Sequence, residues 1–221
     1  MEMNMKKVTL LHTVKSVYST FSDDLKRACP EEIEVDSLVD EYLVTNAKKC
    51  GYFPENNMKK LRLDLQSATL EYPDLIIVTC SSLTPFVKQM LNEFTTPILS
   101  IDDEMCRQAA LSNGKILVVA TAPTTVGPTV DKIKSERESA VIETLLIEEA
   151  MDRLKSGDVS GHDALIAAKV REFTDVDVIV LAQASMASAK HLVYETTGKK
   201  VLTSPESCIN KAVKMLFGEN K

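Results

Sequence analysis

Two kinds of segment alternate along the whole chain. Short apolar runs bounded by polar or turn-forming residues occur at 8–12, 75–78, 97–100, 115–120, 141–146, 176–182 and 200–203, with a weaker apolar/polar alternation at 32–36. Their length and β-branching predict strands, the longest runs buried on both faces and 97–100 at an edge. Between them lie stretches with helical spacing. These are 14–28, where Val17, Phe21 and Leu25 stand four residues apart, then 58–70, 85–94, 102 to an Asn113-Gly114 stop, and 151–155. Further ones are 164–173, 205–217, a helix from the turn Thr121-Ala-Pro-Thr-Thr-Val-Gly-Pro128 to about 137, and one after 183 reaching about 197. Segment 41–55 is polar and turn-rich and reads as a long loop, a rim or lid.

Strands alternating with helices predict parallel sheets with right-handed crossovers, hence an α/β fold. One eight-stranded sheet or barrel would satisfy the alternation. Two lobes of four strands, each sheet mainly parallel and flanked by helices, suit 221 residues better. The expected boundaries are 1–98 plus 204–221 for the first lobe and 99–203 for the second, the closing helix returning to the first.

The chemistry collects where strands end. Leu75-Ile-Ile-Val is followed abruptly by Thr79-Cys80-Ser-Ser-Leu-Thr-Pro85, a strand running into helix-start residues. Such edges bind ligands in α/β sheets, and a helix start stabilises anions and thiolates. Four junctions are of this kind: His12-Thr13, Cys80-Ser81-Ser82, 121–125, and Gln183-Ala184-Ser185. All are rich in hydroxyls or amides and none contains an acid. Any one alone reads as helix capping; four at one topological position point to a shared pocket for a small carboxylate, with Thr13, Ser81, Ser82, Thr121, Thr124, Gln183 and Ala184 as binding candidates. Cys80 is the candidate acid/base group, against the alternative of a structural thiol. His12, ending the first strand, is either its acid/base partner or a histidine satisfied locally. His162, in Ser160-Gly-His-Asp163, reads as part of a helix start and His191 as part of a helix face. No set of ligands has metal-site spacing.

Composition narrows the setting. A net charge of −6 and a pI near 5.2 argue against a nucleic-acid surface. No apolar run approaches the roughly 18 residues of a membrane span, and the N-terminus lacks a signal-peptide pattern. Five cysteines without a CxxC pair indicate free thiols in a cytoplasmic chain. Homo-oligomerisation is left open.

Val78-Thr-Cys-Ser-Ser82, Leu117-Val-Val-Ala-Thr-Ala-Pro-Thr124 and Val180-Leu-Ala-Gln-Ala-Ser-Met186 together resemble the three signature turns of the aspartate/glutamate/hydantoin racemase superfamily. Pro97-Ile-Leu-Ser-Ile-Asp102 and the stretch ending at Pro205 extend the likeness. The resemblance implies two pseudo-symmetric lobes with an active-site cleft between them and cofactor-independent proton transfer at carbon beside a carboxylate or carbonyl. In that pattern one cysteine from each lobe flanks the carbon. Cys80 matches the first; Gln183 stands where the second is expected, and an amide carries no catalytic proton at neutral pH. The implied activity is a racemase, epimerase or isomerase acting on an amino acid or hydantoin-like acid. A single-thiol decarboxylase and a silent small-acid binder are the alternatives.

Overall fold

The computed structural model describes residues 5–218, apart from the side chains of residues 15, 16, 17 and 19. Val17 of the expected helical stripe and the two chain ends therefore lie outside the described set. The chain divides into two units, residues 1–101 with 208–221, and residues 102–207.

The first unit contains β1 (Lys6–His12), α1 (Lys15–Ala28), β2 (Ile33–Val39), α2 (Tyr42–Cys50), α3 (Glu55–Thr69), β3 (Leu75–Val78), α4 (Thr84–Met90) and β4 (Ile98–Ser100). Its sheet has the order β2-β1-β3-β4, every neighbouring pair parallel, with β4 at an edge. Leu11, Ile76 and Val78 point to one face, where Leu43, Leu61, Leu65 and Val87 of the helices close over them. Leu10, Leu75 and Ile77 alternate to the other face and are also fully buried. Both faces are covered, so the strands read as unbroken apolar runs.

The second unit contains α5 (Asp103–Leu111), β5 (Ile116–Ala120), α6 (Pro123–Glu136), β6 (Ile142–Leu146), α7 (Glu148–Lys155), α8 (Val159–Val170), β7 (Val178–Leu181), α9 (Lys190–Thr197) and β8 (Lys200–Thr203). The last helix, α10 (Ser204–Phe217), starts in it and continues in the first. The sheet order is β6-β5-β7-β8, again all parallel. Leu117, Val119, Ile179 and Leu181 pack toward α7, α8 and α9; Ile116, Val118, Val178 and Val180 pack toward α5 and α6. The expected fold class, two four-stranded parallel sheets flanked by helices, is what the chain forms, and a single sheet or barrel is excluded.

Four local expectations are corrected. Segment 41–55 is not a loop: it holds α2 and the first residue of α3. Asp40 Oδ1 accepts the Tyr42 N–H at 3.0 Å, and Gly51, at φ 76°, ends the helix by donating to Ala47 O at 2.9 Å. Only Leu43 of α2 is buried, so there was almost no apolar stripe to read. Second, α5 ends before Asn113-Gly114. Ser112 turns the chain into extended backbone and its hydroxyl donates to Ala109 O at 2.8 Å. Gly114 serves close packing instead, since a Cβ there would stand 2.3 Å from Asp177 Oδ2. Third, α6 begins at Pro123, inside the expected turn, and runs through Pro128. The N–H that proline lacks would bond to the carbonyl of Thr124, and both residues are exposed. Fourth, the helix after Cys80 starts as a 3₁₀ turn, Ser81–Leu83, before α4, and neither serine makes a side-chain cap.

Candidate functional site

Each sheet has one place where consecutive connections leave in opposite directions. In the first unit it lies between β1 and β3, in the second between β5 and β7. Carboxyl ends of strands at such switch points are where ligands bind in open α/β sheets. The residues singled out by sequence stand at these ends.

The two switch points are built alike, bond for bond. Thr79 N–H donates to Leu11 O at 3.0 Å, and Ala182 N–H to Val119 O at 2.9 Å. Asp40 N–H donates to His12 O at 2.8 Å, and Ile147 N–H to Ala120 O at 2.9 Å. Leu83 N–H closes a turn on Cys80 O at 3.0 Å, and Met186 N–H closes the same turn on Gln183 O at 2.9 Å. Registers Leu11↔Val78 and Val119↔Leu181 complete the match. Cys80 is therefore the positional twin of Gln183, Thr13 of Thr121, His12 of Ala120 and Thr79 of Ala182.

Cys80 follows β3 in extended backbone, partly exposed at the margin of the first unit's core. Its Sγ lies 3.0 Å from Ser82 Oγ. Ser82 is exposed and Ser81 half-buried. Thr13 is buried and its hydroxyl has no hydrogen-bond partner among the described residues. His12 is fully buried, and burial pushes its pKa down to about 4. Its Nδ1 lies 2.8 Å from Thr79 Oγ1, so a side chain, not a backbone group, satisfies it.

In the second unit Gln183 Oε1 accepts from Thr121 N–H at 2.6 Å and from Thr121 Oγ1–H at 2.9 Å. A backbone N–H can only donate, so the amide oxygen must face Thr121 and Nε2 must face away. That Nε2 has no hydrogen-bond partner among the described residues. The donors on Thr121 expected to face a carboxylate are thus both committed to Gln183, and the free donor is the Gln183 amide. Thr124 is exposed on the first turn of α6, and Ala184 is half-buried beside Gln183.

The remaining candidates have other places. Cys106 and Cys208 are buried in α5 and α10; Cys29 follows α1, where burial raises its pKa, and Cys50 is exposed at the end of α2. His162 is buried in the first turns of α8, its Nδ1 2.6 Å from Asp163 Oδ1, while Asp158 caps that helix through Gly161 N–H at 2.8 Å. His191 is exposed on α9. Among the described residues no group of three or more His, Cys, Asp and Glu is arranged for a metal, and no helix is long and apolar enough to cross a membrane.

The Thr79–His12 pair escaped sequence reading because its members are 67 residues apart. The Thr121–Gln183 pair, 62 apart, escaped for the same reason. Only the parallel registers join them.

Fold and junctions define a class: duplicated four-stranded α/β units with polar, acid-free switch points. Solved structures share the fold. An aspartate racemase from Picrophilus torridus is similar at 16% identity, with TM-score 0.71 and 98% of this chain and 96% of that one covered. An aspartate racemase homologue from Pyrococcus horikoshii OT3 gives 13%, 0.72, 96% and 99%, and a glutamate racemase from Thermus thermophilus 14%, 0.67, 96% and 80%. None of the curated proteins matches the chain in sequence. Residues 54–212 match the Asp/Glu/Hydantoin racemase family model, and the chain belongs to that family.

Proposed function

We propose that this protein is a cofactor-independent racemase or epimerase of a small carboxylic acid, with Cys80 as the group that moves the proton. The family supports racemase-type chemistry on a small acid. The observation that carries the residue assignment is the position of Cys80: partly exposed, at the switch point of its sheet, with its sulfur 3.0 Å from a hydroxyl.

In the proposed step the Cys80 thiolate takes the hydrogen on the carbon next to the carboxylate. The C–H bond breaks, an S–H bond forms, and the electron pair passes into the carboxylate as an enediolate. Return of the thiol proton to that carbon restores the acid; delivery from water to the opposite face inverts it, and the hydroxide so formed takes the proton from the Cys80 thiol, which regenerates the thiolate and water. Gln183 takes no proton. Its Nε2–H groups are donors of the kind a carboxylate oxygen accepts. Thr13, Ser81 and Ser82, at the same switch point as Cys80, are proposed to bound the substrate. The substrate class is an amino acid or a hydantoin-like acid.

The test is hydrogen exchange in heavy water with aspartate, glutamate and 5-substituted hydantoins, followed by proton NMR and chiral chromatography. The expected result is loss of the signal at the carbon beside the carboxylate or carbonyl, with inversion, for at least one acid. Cys80→Ser is expected to slow it at least 100-fold while leaving the fold intact. Carbon dioxide release without inversion would assign the lyase reading, and binding without exchange the silent one. Either overturns the proposal.

A further inference from the structure

We infer that His12 is a positioning residue: its buried ring braces Thr79 and so fixes the turn that carries Cys80. The inference rests on the proposed role of Cys80. The Thr79 hydroxyl reaches two acceptors, Leu11 O at 3.2 Å and His12 Nδ1 at 2.8 Å, but has one proton to give. When that proton goes to the carbonyl, Nδ1 carries its own hydrogen and donates it to Thr79 Oγ1. Nε2 is then a bare acceptor with no partner among the described residues. The Tyr18 ring stands against the imidazole at 5.6 Å and 87°. Burial holds the ring neutral at physiological pH, which makes it a poor proton carrier. A second observation is the internal repeat. In the unit where Gln183 stands at the position matching Cys80, the positions of His12 and Thr79 are held by Ala120 and Ala182, which form no such bond. The brace occurs only beside the thiol.

Two substitutions at His12 separate brace from proton carrier. His12→Asn places an amide nitrogen near the Nδ1 position and cannot titrate. His12→Gln places its amide near the Nε2 position and leaves Thr79 unbraced; Thr79→Val removes the bond from the other side. The readout is the rate at which iodoacetamide alkylates Cys80, identified by peptide mass spectrometry, alongside nitrogen-15 NMR of the wild-type imidazole. His12→Asn is expected within twofold of wild type, and His12→Gln and Thr79→Val at least threefold away from it. The wild-type spectrum is expected to show one neutral tautomer, protonated at Nδ1, from pH 5 to 8. A titration midpoint near 6.5, or Cys80 alkylation unchanged in both His12→Gln and Thr79→Val, overturns the inference. So does exchange activity as low in His12→Asn as in Cys80→Ser. Alkylation and NMR need no substrate, so they stand or fall separately from the racemase assignment.

Discussion

At the scale of single residues, the identity of an atom's partner decides its use. Gln183 could be singled out from sequence as an amide at a strand end, and its inability to transfer a proton follows from amide chemistry alone. Which end of the amide is free does not follow. That is settled by Thr121, whose N–H and hydroxyl both point at Oε1. Gln183→Ala is accordingly expected to cost stability as well as binding, because Thr121 is buried and its N–H loses its acceptor. An unsatisfied buried donor costs about 1–3 kcal/mol, so urea unfolding of Gln183→Ala should show a loss of that order with an unchanged slope. Gln183→Cys should carry the same loss, which has to be separated from any gain in inversion when that variant is assayed.

At the scale of elements, the strands were legible and α2 was not. A strand covered on both faces advertises itself by an apolar run, as Leu75–Val78 and Ile116–Ala120 do. The α2 helix buries one leucine and is held by polar contacts that have no periodic signature. Asn57 of α3, fully buried, donates to Leu43 O at 2.7 Å, and its Oδ1 accepts from Asn46 Nδ2 at 2.8 Å. Phe53, in the link between the helices, stacks on Phe86 of α4 with ring centroids 3.9 Å apart. Asn57→Ala removes both hydrogen bonds and should destabilise the fold by roughly 2 kcal/mol. Limited proteolysis should then cut within 42–54 before other segments, because α2 has little apolar burial to hold it. Equal protection of α2 in the variant and the wild type would show that Phe53 suffices as its anchor.

At the scale of the whole molecule, two groups in the first unit make stability depend on pH in opposite directions. Burial lowers the pKa of His12 from 6.5 to about 4, so the unfolded chain binds the extra proton between those values. Its contribution is complete above pH 6.5 and is lost as pH falls toward 4, a change on the order of 3 kcal/mol. Asp64 behaves inversely. Burial, then the hydrogen bond and charge of Asp40, raise its pKa from 3.8 to about 6. The folded chain therefore holds the proton between pH 4 and 6, and Asp64's contribution is lost as pH rises through 6. Lys60, 2.7 Å from Asp40 and 3.5 Å from Asp64, keeps the ionised pair tolerable. Thermal unfolding from pH 4 to 8 should show His12→Asn gaining relative to wild type at the acid end. Asp64→Asn should gain progressively from about pH 4 to 6 and hold a constant gain above 6. Parallel curves for all three proteins would refute both assignments.

What the sequence determined by itself was everything carried by local pattern: eight strands, their alternation with helices, a parallel α/β class, and polar strand ends around Cys80 and Gln183. Those features are written in contiguous residues whose burial or turn chemistry is a property of the segment. The tertiary structure alone decided what depends on registry between distant strands. It paired His12 with Thr79 and Thr121 with Gln183, ordered both sheets the same way around a switch point, and made Cys80 and Gln183 twins in an internal repeat. The physical reason is that a parallel pairing joins residues some 60 to 70 positions apart, and a hydrogen bond between them leaves no mark on the residues that flank either one.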